Sequence, residues 1–161
     1  PSLVGSEMCI RDRNYLNINI EESELISECQ NFSDLVIDEV INCNWVKGVE
    51  NYLRDNPYKQ TFYLVTGTPH EEIMVILKKL NLLEVFNSVH GSPEDKISII
   101  KNLIIDQNLS GSKCIMIGDS YTDFEAARRN NIDFVFRSDD NVTPDDITTD
   151  FLINNFNVFG L

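Results

Sequence analysis

The spacing of hydrophobic residues changes along the chain, and that change predicts its organisation. Residues 14–44 alternate briefly between apolar and polar positions and then repeat with helical spacing. Ser33 is a candidate N-cap, which would divide this region into two helices. A further helix is predicted over Trp45–Asp55, because apolar residues share one face and Asn56-Pro57 ends the pattern. The first part of the chain is therefore predicted to be helical.

From residue 61 onward, short apolar runs typical of buried strands alternate with segments of helical spacing. The predicted strands are Thr61–Val65, Val85–His90, Lys113–Ile117 and Asp133–Arg137, and Phe151–Phe159 holds a final short strand or helix edge. This β-α-β-α-β-α-β order predicts an α/β fold, a Rossmann-like three-layer α/β/α arrangement in which helices cover both faces of a parallel sheet.

Two of the predicted helices follow capping sequences. Thr68 and Glu71 have the spacing of a capping box, with Pro69 at the first helical position. Ser92 is a second N-cap candidate and is also followed by a proline, Pro93. Both helices are therefore expected to begin soon after the preceding strand ends.

Reactive side chains follow three of the predicted strands. Thr66 follows the first strand, Lys96 lies in the first turn of the helix after the second, and Asp119 follows the third. Ligands of open parallel sheets bind beyond the carboxyl ends of the strands, which lie at one edge. We therefore expect these three residues near one site.

Each candidate has a functional interpretation and a structural one. Lys96 opposes the helix dipole, which suits a phosphate ligand or a surface lysine that tolerates the position. Asp119 and Asp123 are four residues apart and suit Mg²⁺, but they would equally cap a helix. Thr66 and Gly67 offer a hydroxyl and an open backbone N–H to phosphate, or form an ordinary turn. His70 and His90 are interpreted as structural.

Composition narrows the function classes. The 161-residue chain carries a net charge of −13, which disfavours nucleic-acid binding through a basic face. No apolar run approaches the ~18 residues of a membrane span, so no membrane partner is expected. The four cysteines form no C-x-x-C pair and lie near no histidine, which disfavours zinc and favours free thiols in a cytoplasmic protein.

Three segments together resemble a known family. LVTGT (Leu64–Thr68), GSPEDK (Gly91–Lys96) and MIGDSYTD (Met116–Asp123) occur in the order found in the haloacid dehalogenase (HAD) superfamily of phosphohydrolases. The phosphoglycolate-phosphatase-like branch is the most similar, and the resemblance covers Trp45 to the C-terminus. It implies a HAD-like α/β core in residues 45–161 that lacks its first strand, and the remnant of a helical cap in residues 14–44.

The resemblance also implies an activity, that of a Mg²⁺-dependent phosphatase acting on a small phosphorylated metabolite through an aspartyl-phosphate intermediate. Thr66, with Gly67, would hold the transferred phosphoryl group. Lys96 would neutralise the nucleophile and the phosphate. Asp119 would bind Mg²⁺, and Asp123 would bind the ion or orient its waters. The substrate and the oligomeric state stay open.

The chain departs from the family pattern at its start, because the sequence contains no D-x-D motif, the source of the family's nucleophile and general acid. The nearest similar segment, Leu35–Val40, fits an amphipathic helix better. Leu3–Asp12 resembles a translated sequencing adapter, so residues 1–13 are interpreted as non-native and the natural chain is expected to begin upstream of Asn14.

Two other functions compete with the phosphatase. An inactive fragment of an enzyme is the leading interpretation, and a non-catalytic HAD-like binding module is the alternative. A two-component receiver domain also uses Asp, Thr and Lys on a parallel sheet. Its acidic residues come first in the chain, whereas here the order is Thr66, Lys96, Asp119.

Overall fold

The computed structural model describes residues 22–149 and 151–159. Its described residues divide into two compact units, 22–44 with Phe62–Pro93, and Trp45–Thr61 with 94–149 and 151–159. The predicted non-native segment 1–13 and the alternating positions of residues 14–21 lie outside the described residues.

The helices and strands follow the predicted order. The helices are α1 (Glu22–Asn42), α2 (Val49–Asp55), α3 (His70–Lys79), α4 (Lys96–Asp106) and α5 (Tyr121–Arg129). The strands are β1 (Phe62–Pro69), β2 (Phe86–Ser92), β3 (Ile115–Gly118), β4 (Asp133–Arg137) and β5 (Phe151–Ile153). Short 3₁₀ turns occupy Leu83–Val85, Gly111–Lys113 and Phe156–Phe159. Among the described residues, no helix is long and apolar enough to cross a membrane.

The first unit pairs β1 with β2 in parallel, with Leu64 opposite Val89. The chain then turns into α3, whose Ile76 and Leu77 are buried. Helix α1 packs on α3. The segment Leu35–Val40, which was predicted to be helical, lies within α1.

Ser33 does not divide the first helix, so that prediction was wrong. Helix α1 runs without a break over 21 residues, and Ser33 lies in its middle. The Ser33 hydroxyl donates a hydrogen bond to the Glu72 carboxylate of α3, at 2.7 Å. The Ser33 hydroxyl therefore joins α1 to α3 and does not cap a helix.

The predicted helix starts after β1 and β2 were also wrong. Strand β1 continues through Thr68 to Pro69, and Ser92 is the last residue of β2. The residue before α3 is Pro69, with φ of −51° and ψ of 138°, and the residue before α4 is Asp95, with φ of −75° and ψ of 147°. The helices therefore begin at His70 and Lys96, later than the capping patterns predicted.

Helix α2 begins later than predicted. Gly48 precedes it with φ of 86°, a left-handed backbone conformation that ordinary residues avoid. A Cβ at Gly48 would also lie 2.6 Å from the Asn157 Oδ1 atom. Residues from Trp45 to Gly48 therefore do not continue the helix, whereas its end before Asn56 is as predicted.

The second unit contains the parallel sheet β3-β4-β5. Gly118 of β3 lies opposite Phe136 of β4. Its buried core cluster joins α5 to β4 and the following loop, and comprises Ala127, Phe134, Phe136 and Ile147. The parallel α/β fold predicted from sequence is confirmed, and the described strands form two parallel sheets, of two and three strands.

Candidate active site

The turn from β3 into α5 is fixed by a reciprocal capping box. Ser120 is the N-cap, and its Oγ atom accepts a hydrogen bond from the Asp123 backbone N–H at 3.3 Å. The Asp123 Oδ2 atom accepts bonds from the Ser120 hydroxyl at 2.6 Å and the Ser120 N–H at 3.3 Å. These bonds satisfy donors that a helix start leaves free, and they fix the Asp123 carboxylate beside the strand end.

Lys96 and Asp123 form a mostly desolvated ion pair. The Lys96 Nζ atom lies 2.7 Å from Asp123 Oδ1, and only 21% and 9% of the two side chains are exposed. Lys96 Nζ also lies 3.5 Å from the Thr122 Oγ1 atom. Each Asp123 oxygen therefore already has a partner, Lys96 for one and Ser120 for the other. Charge-assisted contacts of this kind hold the ammonium in a defined position.

Helix α4 brings Lys96 to this pair from its first residue. Asp95 caps the helix, and its carboxylate accepts hydrogen bonds from the Ser98 backbone N–H at 3.0 Å and hydroxyl at 2.6 Å. The Ser98 hydroxyl is the main cause that lowers the pKa of Asp95, followed by the Ser98 backbone N–H. Asp95, and not Ser92 as predicted, therefore sets where Lys96 begins the helix.

Gly118 has a role that the sequence analysis missed. A Cβ at this position would lie 2.4 Å from Asp123 Cβ and 2.7 Å from Asp123 Oδ2, far inside van der Waals contact. Only glycine therefore lets the Asp123 side chain lie against the end of β3. The sequence did contain a signal for this role, because Gly118 directly precedes Asp119 at the end of a predicted strand. Thr122, also missed, carries no comparable signal.

Asp119 differs from Asp123 in its surroundings. It is exposed, directly after β3, and within the described part of the chain its carboxylate makes no hydrogen bond or ion pair. The described residues contain no group of three or more His, Cys, Asp or Glu side chains that could hold a metal. Mg²⁺ commonly binds through one or two carboxylates and keeps several waters, so Asp119 fits it, whereas the Asp123 oxygens are already engaged.

Thr66 and Gly67 belong to the first unit and lie in the carboxyl-terminal part of β1. The Thr66 Oγ1 atom accepts a hydrogen bond from the Thr68 N–H at 3.2 Å and lies 3.1 Å from the Thr68 hydroxyl. Gly67 is exposed, and a Cβ there would meet no described atom within 4 Å. The space beside its Cα is therefore empty of described atoms.

Of the predicted site residues, the structure brings Lys96 and Asp123 into contact and places Asp119 on the same turn as Asp123. The two histidines lie in the first unit. His70 is exposed at the start of α3, and the His90 Nε2 atom lies 2.8 Å from the Ser88 hydroxyl. Their structural interpretation stays a prediction.

Three solved structures of low sequence identity are similar to this fold. A predicted phosphoglycolate phosphatase from Haemophilus somnus has a TM-score of 0.74 at 16% identity, over 99% of this chain and 76% of that one. A haloacid dehalogenase-like family hydrolase from Streptococcus pneumoniae has a TM-score of 0.67 at 14% identity, over 96% and 88%. A β-phosphoglucomutase from Clostridium difficile has a TM-score of 0.65 at 19% identity, over 96% and 73%.

Sequence comparison supplies the family. No curated protein matches the chain significantly. The family model for haloacid dehalogenase-like hydrolases matches residues 12–136, most of the chain. The resemblance seen in its three sequence segments is thereby confirmed, and the chain belongs to the haloacid dehalogenase-like hydrolase family.

Proposed function

We propose that this chain derives from a Mg²⁺-dependent phosphatase that acts on a small phosphorylated metabolite through an aspartyl-phosphate intermediate. One observation carries the proposal: the desolvated Lys96–Asp123 pair lies beside Asp119, a carboxylate without a partner among the described residues. Phosphoryl transfer needs fixed positive charge and a metal-binding carboxylate at one place. Lys96 of α4 would supply the charge, and Asp119 of the β3–α5 turn would supply the carboxylate.

The names of the structural neighbours support a phosphorylated substrate. One is described as a phosphoglycolate phosphatase and another as a β-phosphoglucomutase. Both names refer to small phosphorylated molecules. We propose the same substrate class here.

We propose that Lys96 binds a phosphate oxygen. Its ammonium is held by the Asp123 carboxylate at 2.7 Å, so little reorganisation is needed when an anion arrives. Asp123 acts through Lys96 and is a positioning residue in this arrangement. For Thr66 and Gly67 we keep the role that the family resemblance implies, in which a hydroxyl and a backbone N–H are donated to the transferred phosphoryl group.

We propose that Asp119 binds Mg²⁺ directly and that Asp123 orients water molecules of the bound ion. When bound, the ion supplies positive charge that offsets charge on the phosphoryl oxygens. Because one carboxylate holds a hydrated ion weakly, affinity in this chain should be modest.

Titration calorimetry with MgCl₂ tests this metal assignment. Asp119→Asn should reduce affinity at least about tenfold, since it removes the only charged ligand proposed. Glu125→Gln is the matched control, because Glu125 is an acid on α5 whose carboxylate pairs with Arg129 at 3.0 Å. Equal effects of the two substitutions would leave Asp119 without a metal role.

The proposed nucleophile does not lie in this sequence. The sequence has no D-x-D motif, and Asp38, in the nearest similar segment, lies on α1 and pairs with Lys79 at 3.2 Å. We therefore expect the 161-residue chain to leave p-nitrophenyl phosphate unhydrolysed in the presence of Mg²⁺. Turnover that is lost in Asp38→Asn would contradict this expectation.

The missing nucleophile motif also favours the second candidate, a binding module without catalysis. The sequence of the natural gene distinguishes the two functions. If it encodes a D-x-D motif upstream of residue 14, and the longer protein has phosphatase activity, the enzyme is favoured. Phosphate binding by a natural product that lacks the motif would favour the binding module.

A further inference from the structure

Arg137 lies at the same sheet edge as Asp119 and is not explained by the proposed chemistry. Gly118 and Phe136 are the last register partners of β3 and β4, so Asp119 and Arg137 follow them at the carboxyl ends of neighbouring strands. Neighbouring strands are about 4.8 Å apart. An arginine therefore adjoins the position where ligands of parallel sheets bind.

The strand geometry places Arg137 on the side away from α5. Phe136 belongs to the core cluster that contains Ala127 of α5, and successive strand residues face opposite sides. Gly118 faces α5 as well, because a Cβ there would strike Asp123. The Lys96–Asp123 pair and Arg137 therefore flank the end of β3 from opposite sides.

The Arg137 guanidinium is incompletely satisfied. Its Nη2 atom donates to the Asp139 carboxylate, but the Asp139 side chain is 77% exposed. Its Nε atom is buried and has no partner among the described residues. An exposed ion pair is weak, whereas a buried donor without an acceptor is unfavourable. The Nη1 atom makes no hydrogen bond to a described residue and is not among the buried unpaired atoms, so this 20% exposed side chain keeps a donor for a second acceptor.

We propose that Arg137 recognises a second anionic group of the substrate, so that the chain selects phosphate monoesters that also carry a carboxylate or another phosphate. This inference rests on the proposed phosphate site at Lys96. A guanidinium matches a carboxylate or phosphate with two parallel hydrogen bonds, which an ammonium cannot do. In the absence of substrate, Asp139 holds the guanidinium at the edge.

Calorimetry of the 161-residue chain without divalent cations tests the proposal with three probes. Methylphosphonate carries one anionic group, phosphonoacetate adds a carboxylate, and methylenediphosphonate adds a second phosphonate. We expect one or both of the larger probes to bind about tenfold more tightly than methylphosphonate, as charged hydrogen bonds do. The probe preferred then identifies the second group.

Substitutions separate this proposal from the phosphate site itself. Arg137→Gln should abolish the preference and leave methylphosphonate affinity unchanged, and Arg137→Lys should lose most of it despite keeping the charge. Lys96→Gln should weaken all three probes. Arg129→Gln is the control, since Arg129 is exposed and pairs with Glu125 on α5.

Circular-dichroism melting checks that each variant is folded. If Arg137→Gln is not folded, Arg137→Lys replaces it in the comparison. The role of Arg137 would be overturned if folded Arg137 variants kept the preference for the larger probes, or if the wild type showed no such preference. Either result would leave the phosphate site at Lys96 standing. Failure of the wild type to bind any probe would overturn the phosphate site and this proposal together.

Discussion

At the scale of single residues, the Lys96–Asp123 pair should contribute measurably to stability. Lys96→Met would leave the Asp123 carboxylate, in a residue only 6% exposed, without its cation. Loss of a partner from a buried pair costs about 3–5 kcal/mol, and we expect about 2 kcal/mol here because Ser120 still donates to Asp123 and Lys96 is partly exposed. Urea unfolding measures the difference.

Lys79→Met is the matched control for this substitution. Lys79 also pairs with an aspartate, Asp38, but the two side chains are 50% and 66% exposed. Exposed pairs contribute about 0–1 kcal/mol, so this variant should unfold almost like the wild type. Equal losses in both variants would mean that Lys96 does not neutralise a desolvated charge.

The sequence analysis named candidate residues but not their contacts. Thr66, Lys96 and Asp119 were assigned to one place because strand ends converge in parallel sheets, and Asp123 was placed one helical turn after Asp119. The direct Lys96–Asp123 pair was not foreseen, because it depends on how α4 and α5 pack. Gly118 was overlooked because its contribution is the absence of a side chain, which only the position of Asp123 reveals.

At the scale of secondary-structure elements, the β3–α5 turn depends on Gly118. Gly118→Ala would place a Cβ 2.4 Å from Asp123 Cβ, so either α5 or the Asp123 side chain must move. Overpacking of this kind costs about 1–3 kcal/mol, and the shift should also weaken the Lys96–Asp123 pair. Thermal unfolding measures the loss.

Gly67→Ala provides the comparison for this element. Gly67 is also a strand glycine, but its Cβ would meet no described atom within 4 Å. The substitution should change stability by less than about 1 kcal/mol. If Gly118→Ala were as mild as Gly67→Ala, the close packing of α5 on the end of β3 would not restrict that position.

The elements themselves were predictable to different degrees. The strands were found because their apolar runs are short, rich in β-branched and aromatic residues, and followed by turn residues. The starts of α3 and α4 were misplaced because the N-cap residues are Pro69 and Asp95, and not Thr68 and Ser92; Asp95 caps α4 because its carboxylate accepts the Ser98 N–H. The single helix α1 was split because Ser33 bonds to another helix, which local sequence does not encode.

At the scale of the whole molecule, β3 should make the chain prone to aggregation. Among the described strands it bonds only to β4, so its other backbone edge is unpaired, and Ile115 on it is 61% exposed. Unpaired apolar edges favour pairing with other chains, and a charge on the edge prevents it. We therefore expect Ile115→Lys to slow aggregation on heating at least about threefold, as light scattering would show.

Val142→Lys is the control, because Val142 is 63% exposed but lies in the loop after β4. If both lysines acted alike, added charge and not the strand edge would explain the effect. Cooperative, reversible unfolding of a soluble wild-type monomer at a midpoint typical of intact domains would contradict the prediction itself.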